Sequence, residues 1–381
     1  MTTAGRTTES LVAAVRSAGF VRLLVRPDAD ALATAGVLAR GLSATETPYQ
    51  VSVASTRADR TGRAAATAND DEVAVVIGPA EDHGLYLEPV DGSRAVAASE
   101  LVQDLGAEPD AVLALAGAFA AGCELGDDGT AQLLDRAQTE EAVERSAGVA
   151  VPTADPIDGL AHSTLVRAQW SGEPEAVADA LDEVGDDDQR LASVVAIDAV
   201  GADGASVRAA TSIGRLLHPY RTPTGPFETI GGTADVLEAV ARTDPGAGVA
   251  LAIGHGARES ALEAWRTHGI AVHAALDAAT SARHDGLYVL ALDESVPELA
   301  RTDAVESVAH LAAVTRSPEP VVLAVGDGVT GVATDEQCGS LCERLAAELD
   351  GIEDYGPTAG RIEHESELSA ETVTDAARAV R

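Results

Sequence analysis

The feature that most constrains this chain is a strand-length apolar run that passes through a short acidic loop into a small-residue helical pattern. Residues 21–25 read VRLLV, the loop reads RPDADA, and ALATAGVLARGL follows. Strand, loop and helix in that order form the repeating unit of a parallel sheet. Residues 49–54 (YQVSVA) and 73–77 (VAVVI) read as two further strands with a polar, helix-like stretch between them. The first 80 residues therefore predict βαβαβ, with a ligand expected at the C-terminal ends of the strands.

Around this core the pattern changes. A helix is expected near residues 10–17, and residues 95–194 are mostly helical through ELVQDLG, DAVLALAGAFAAG, TAQLLDRAQTEEAVERS and EAVADALDEV. A long amphipathic helix over 189–217 reads as a connector, and HPYRTPTGP behind it marks a boundary. Beyond it the expectations are a helix over 231–241, a strand at 249–253 (VALAI), a helix through ARESALEAWRTHG and a strand at IAVHAAL. The strand LYVLAL, a helix over 303–314 and the strand VVLAV at 321–325 complete a second, smaller α/β unit. No structure is assigned after residue 355, and no internal repeat is present. The expected division is a parallel-sheet α/β domain over 1–150, a helical connector over 151–218, a smaller α/β domain over 219–340, and a C-terminal helix and polar tail over 341–381.

Charge narrows the surroundings. The chain carries 62 acidic against 26 basic residues, a net charge of -36, and every basic residue is Arg. An acidic surface without Lys suits a protein dissolved in molar salt, where the Debye length falls to roughly 3 Å. An acidic protein from a GC-rich genome is the alternative. In molar salt both phosphate repulsion and counterion release are reduced, so net charge neither supports nor excludes a DNA ligand. Cys123, Cys338 and Cys342 make neither a disulfide framework nor a zinc pattern, and the last two share a helix face as packing residues. The N-terminal segment has no apolar signal core and no run approaches 18 apolar residues, so a cytoplasmic protein with no membrane partner is expected.

In RPDADALATAG, Asp28 and Asp30 follow the first strand, where two carboxylates can converge on one cation, or Asp30 can cap the next helix. The strand, the x-x-D-A-D-x loop and the small-residue helix together resemble the first motif of the RecJ-like DHH/DHHA1 phosphoesterase family, of archaeal, haloarchaeal type. DGSRAVAASELVQDL from 91 resembles the segment after that family's third motif, and LALAGAFAAG resembles its fourth. HSTLVRAQWSGEPEA from 162, GGTADVLEAVARTDPGAGVALAIG from 231 and RSPEPVVLAVGDG from 316 resemble its linker and DHHA1 regions. The resemblance implies a DHH-like parallel-sheet domain joined by helices to a DHHA1-like domain. In active members it also implies two Mn²⁺ or Mg²⁺ ions held by carboxylates and a His.

Carried over position by position, only Asp28 and Asp30 match. Arg26 stands where the family has His, Gly78 where its second motif has Asp, and Ala121 where its fourth motif ends in Asp. No DHH triplet is present, and Asp82 with His83 (beside Glu81) is the one remnant that could rebuild an altered site with Asp28 and Asp30. The expectation is a degenerate member with no cofactor, in which Mn or Mg enters only if the altered site works. Gly231 and Gly232, with Arg26, are candidate nucleic-acid contacts, because glycine lets amides approach a phosphate closely. Trp170 and Trp265 could stack on bases but sit among apolar neighbours, which favours core positions. The function expected from the resemblance is a non-catalytic subunit or single-strand-binding scaffold in DNA replication or repair. Its implied partners are GINS, the replicative helicase, a RecJ-like paralogue, or single-stranded DNA. The alternatives are a metal-dependent single-strand exonuclease or nucleotide phosphodiesterase with an altered site, and a small-molecule binder.

Overall fold

The computed structural model describes residues 3–66, 71–79, 84–185, 187–335 and 337–381. The chain opens with α1 (Thr3–Ser17), β1 (Phe20–Val25), α2 (Ala29–Ala44), β2 (Tyr49–Val53), α3 (Arg57–Ala65), β3 (Glu72–Ile77) and β4 (Leu85–Tyr86). The four strands are parallel, in the order β2-β1-β3-β4. From β1 the chain goes to one side for β2 and to the other for β3. The loops that leave β1 and β3 therefore flank a topological switch point, where a crevice is expected.

β1 is central and its Val21, Leu23, Leu24 and Val25 are fully buried. A strand covered on both faces reads as a continuous apolar run, which is why VRLLV was legible. α2 is buried along almost its whole length, from Ala29 to Leu42. Its small residues allow close approach of α4 (Arg94–Asp104) and α5 (Ala111–Ala120), which pack against it.

Next come α6 (Asp128–Thr139), β5 (Glu144–Arg145), α7 (Pro156–His162), α8 (Pro174–Leu181), α9 (Asp188–Gly201), α10 (Val207–Leu216) and β6 (Tyr220–Arg221). The single helix expected over 189–217 is two helices. Gly204 takes φ +77, and the Ser206 hydroxyl accepts from the Arg208 amide to start α10.

The chain continues through α11 (Ile230–Thr243), α12 (Pro245–Ala252) and α13 (Arg258–Ala278). Here two expected strands are helices. VALAI lies in α12, started by Pro245 and by the Asp244 carboxylate on the Ala247 amide. IAVHAAL lies in α13, where Ala271, Val272, Ala275 and Leu276 are buried at helical spacing. Short Ala- and Val-rich runs fit either period, and context decides.

The rest is β7 (Thr280–His284), β8 (Leu287–Ala291), α14 (Glu298–Arg301), α15 (Val305–Thr315), β9 (Val321–Val325), β10 (Val329–Thr334), α16 (Cys338–Leu349), β11 (Ile352–Tyr355), β12 (Ala359–Glu363) and α17 (Ala370–Val380). Six strands form one sheet, β11-β12-β10-β9-β8-β7, antiparallel except for the parallel pair β8 and β9. Alternate residues of β8 face opposite cores. Leu287 and Val289 pack with α16 and α17, whereas Tyr288 and Leu290 pack with α13 and α15. The stretch expected as a polar tail is thus a hairpin and a helix with Ile362, Val373 and Ala377 fully buried.

The chain forms two compact units, each built from two stretches of sequence. The first is Met1–Glu144 with Arg221–Leu262, and the second is Arg145–Tyr220 with Glu263–Arg381. This differs from the linear division drawn from sequence. Residues 221–262, expected in the second α/β domain, bring α11 onto α2 and α5 in the first unit. The helices expected as a connector, 151–218, belong to the second unit and close their own core around Trp170, Val177 and Val195. Trp265 is also fully buried, edge-on to His162 at 5.5 Å. Cys338 and Cys342 are buried side by side, Sγ to Sγ 3.8 Å. No helix among the described residues is long and apolar enough to cross a membrane.

Candidate functional site at the strand ends

The two aspartates of the acidic loop do different work. Asp28 caps α2: its backbone is extended, its Oδ1 accepts from the Ala31 amide at 2.7 Å, and its Oδ2 accepts from Arg26 Nη1 at 2.5 Å. Burial alone would raise its pKa. The adjacent Arg26 guanidinium and the Ala31 amide outweigh this and hold the carboxyl below the usual range.

Asp30 is turned the other way, into the N-terminus of α4. Its Oδ1 accepts from the Ser93 hydroxyl at 2.7 Å and the Ala95 amide at 3.1 Å, and its Oδ2 accepts from the Arg94 amide at 3.0 Å. Ser93 itself caps α4 through the Ala95 and Val96 amides. Asp30 is 7% exposed. Burial, and then the neighbouring charge of Asp28, push its pKa up to about 6 against those hydrogen bonds. Gly117 of α5 closes over it, since a Cβ there would meet Ala95 Cβ at 2.5 Å and Ala33 Cβ at 2.9 Å.

Two buried arginines stand at the strand ends, one of them against Asp28. Arg26 is 2% exposed, and the Cβ of any side chain at Gly78 would lie 2.8 Å from Arg26 Cβ. Gly78 also takes φ +132, a conformation that side chains rarely adopt. Arg60 is fully buried and ties the ends of β2 and β3 together. Its Nε and Nη2 donate to the Pro79 carbonyl at 3.0 and 2.9 Å, and its Nη1 donates to the Ala54 carbonyl at 2.9 Å. From α11, Glu238 Oε2 accepts from the Ala29 amide at 2.9 Å, while Oε1 pairs with Arg242 Nη2 at 2.6 Å.

The structure thus brings Arg26, Asp28 and Asp30 together. Asp82 and His83 lie outside the described residues. Gly231 and Gly232 are buried in the first turn of α11, where the Gly232 amide already donates to its own cap, Thr229 Oγ1, at 2.9 Å. Ala121 ends α5 as its C-cap. Ser93, Arg60 and Glu238 were not singled out from sequence. The helix-start pattern S-R-A-V-A could have flagged Ser93, but nothing local marks Glu238.

The donor set of the described residues does not fit the divalent pair that the resemblance implies. One carboxylate holds a guanidinium at hydrogen-bond distance, and the other has its lone pairs on a hydroxyl and two amides. No group of three or more His, Cys, Asp or Glu suited to a metal occurs among the described residues. What the arrangement does is fix the first turn of α2 and the start of α4 against the strand ends.

Comparison with known proteins follows the same line. The protein rrnAC1427 of Haloarcula marismortui, described as uncharacterized, is 39% identical over 362 residues, covering 91% of this chain and 89% of its own. This chain belongs to the rrnAC1427 family. A profile described as the rrnAC1427 C-terminal domain matches residues 279–380, which hold β7 to α17.

Solved structures place the fold of this family member. CDC45 from Entamoeba histolytica aligns with a TM-score of 0.61 at 9% identity, covering 98% of each chain. RecJ from Thermus thermophilus, solved with Mn²⁺, aligns at 0.51 and 16% identity, covering 98% of this chain. The rrnAC1427-family chain spans 54% of that RecJ chain. It has the RecJ-like DHH fold, an α/β architecture with a parallel sheet and a second mixed sheet.

Proposed function

We propose that this chain is a non-catalytic member of the RecJ-like DHH fold, a scaffold or single-strand-binding subunit in DNA replication or repair. The observation that carries this reading is the Arg26–Asp28 ion pair, 2.5 Å long and packed against Gly78 at the switch point. A guanidinium beside Asp28 supplies the positive charge that a cation would otherwise bring, and it cannot polarise water as a Lewis acid does. The likeness in fold to CDC45 is compatible with a replication role, and the partners that the resemblance to RecJ-like proteins implies are GINS, the replicative helicase or a RecJ-like paralogue. The second unit takes the DHHA1-like role, and single-stranded DNA is the nucleic-acid ligand. The chain works in a cytoplasm of high salt, in keeping with 62 acidic and no Lys residues and a Haloarcula relative.

The test is Mn²⁺-dependent cleavage of a labelled single strand in molar KCl, with Asp28→Ala and Asp30→Ala beside the native chain. No cleavage above the variants is expected, together with recovery of replication proteins by affinity purification from the native cell. Cleavage that both substitutions abolish would overturn the reading and favour an exonuclease or phosphodiesterase whose altered site draws on Asp82 and His83.

A further inference from the structure

β7 is one edge of the six-stranded sheet in the second unit, and it is bare. Thr280, Ser281, Ala282 and Arg283 are all exposed, so neither face of the strand is covered there. The strand pairs with β8 in unbroken register, from Thr280 opposite Ala291 to His284 opposite Leu287. On its outer side no backbone group of β7 has a hydrogen-bond partner among the described residues. The opposite edge differs, since α16 packs against β11 and Asp354 there is buried. Soluble proteins blunt an open edge with proline, a bulge, a charge or a covering element. β7 has no proline, bulge or cover, and its one charged side chain, Arg283, lies over the Tyr288 ring at 5.9 Å, flanking the edge.

The charge beside this edge runs against the rest of the chain. The net charge is -36, yet residues 280–284 and 376–381 hold Arg283, Arg378 and Arg381 and no acidic residue. Opposed residues of paired strands share a face. Arg283, opposite Tyr288, is therefore on the α13 and α15 side, and His284, opposite Leu287, is on the α17 side. On that second side Arg378 Nη2 donates to His284 Nδ1 at 2.8 Å, and Arg381 Nη1 donates to the Asp285 carbonyl at 2.7 Å. Arg378 also meets Asp375 at 3.3 Å, both exposed, while Arg283 and Arg381 make no ion pair among the described residues. Guanidinium groups thus flank the open edge on both faces of the sheet.

We infer that the β7 edge takes an extended acidic segment of a partner protein as an added strand. Such a strand sends successive side chains to opposite faces, so two adjacent acidic residues meet Arg283 on one face and Arg378 with Arg381 on the other. Main-chain hydrogen bonds along the edge supply affinity, and the carboxylate–guanidinium contacts select the sequence. Molar salt favours a peptide over a nucleic acid here, because it removes the gain from counterion release but leaves hydrogen bonds between neutral amides in place. A second copy of this chain is a poorer fit, since two β7 edges would set arginines against arginines. The inference does not rest on whether the strand-end site is catalytic.

The probe is a blocked, labelled hexapeptide, TVEEVT, whose adjacent glutamates fall on opposite faces of a strand. TVQQVT removes the charge, TPEEPT keeps it but lacks two amide donors, and oligothymidylate represents a nucleic acid. Titrated into the full chain in molar KCl, TVEEVT is expected to bind saturably and at least about tenfold more tightly than TPEEPT. It should lose about fivefold as TVQQVT, and about threefold in each of Arg283→Gln and Arg378→Gln, the range of exposed charge pairs. Both arginines are exposed, so the variants keep the fold. Bound TVEEVT should also slow amide hydrogen exchange within residues 280–284. No saturable binding of TVEEVT, equal binding of TVQQVT or TPEEPT, or unchanged exchange in β7 overturns the inference. So does binding of oligothymidylate, in place of the peptide, that the two substitutions abolish, or protection of β7 that rises with protein concentration alone.

Discussion

Two regions of this molecule bury ionisable groups and resolve the cost in opposite ways. At the strand ends of the first unit, Asp28 stays ionised because Arg26 and the start of α2 answer it. In the second unit, His273 is fully buried under an adverse field. Burial, and then the Arg167 guanidinium, push its pKa down to about 3. Its Nε2 lies 3.0 Å from the Ser163 carbonyl, an acceptor only, so Nε2 carries the proton. Nδ1 is left without a hydrogen-bond partner among the described residues. One region keeps a charge and pairs it, whereas the other keeps a polar ring and leaves it neutral. The difference teaches where substitution is dangerous: a paired charge punishes loss of its partner, and a neutral ring punishes acid.

The largest expected effect is at the pair. Arg26→Met strands Asp28 in a buried site and is expected to cost about 3–5 kcal/mol in denaturant unfolding, the range for one broken buried pair. Asn is a good N-cap, so adding Asp28→Asn should restore part of that loss, with a coupling energy above about 1 kcal/mol. Equal losses in the single and double variants would show that the ion pair is incidental. A smaller loss of about 2–3 kcal/mol is expected for Asp30→Ala, which leaves the Ser93 hydroxyl and the Arg94 amide without their acceptor and the Ala95 amide with Ser93 Oγ alone. Gly78→Ala should cost a further step less, about 1–2 kcal/mol, through φ +132 and the 2.8 Å approach to Arg26. A neutral Gly78→Ala would mean that β3 shifts freely at its end.

The first of these regions was legible in sequence to a definite depth. Strand, acidic loop and small-residue helix could be read because each has its own period, but the cap was expected at Asp30, whereas Asp28 caps α2 and Asp30 turns to the start of α4. What Asp30 touches could not be read, because Ser93 is 63 residues away, and Glu238 reaches Ala29 across 209. The interleaving of the two units was hidden for the same reason. α11 carries an amphipathic pattern that states only that one face is buried, not that it is buried against α2 and α5. The two misread strands failed differently: VALAI is apolar throughout and IAVHAAL is apolar but for His273, so periodicity offered little, and for VALAI only Pro245 and Asp244 argued for a helix start.

The smallest effect per step, and the sharpest test of the contrast, is in pH. His273 binds its proton near pH 3 when folded and near 6.5 when unfolded. Between those values the unfolded chain holds more protons, so this ring removes stability as pH falls from 6.5 towards 3. Asp30 does the reverse. Its folded pKa of about 6 lies above the ordinary 3.8, so the folded chain holds more protons between those values, and this group adds stability as pH falls through 6 towards 3.8. Over pH 6 to 4 the two contributions oppose each other, each bounded by about 1.4 kcal/mol per pH unit. Replacing His273 with Asn, which keeps a donor for the Ser163 carbonyl, should tilt the stability profile towards acid. Replacing Asp30 with Asn should tilt it away. Unfolding free energies measured across this window in constant molar KCl read both slopes. Burial favours the neutral form of each group, so an acid and a base tilt the profile in opposite directions, and two variants tilting the same way would show that one of the two displacements has the wrong sign.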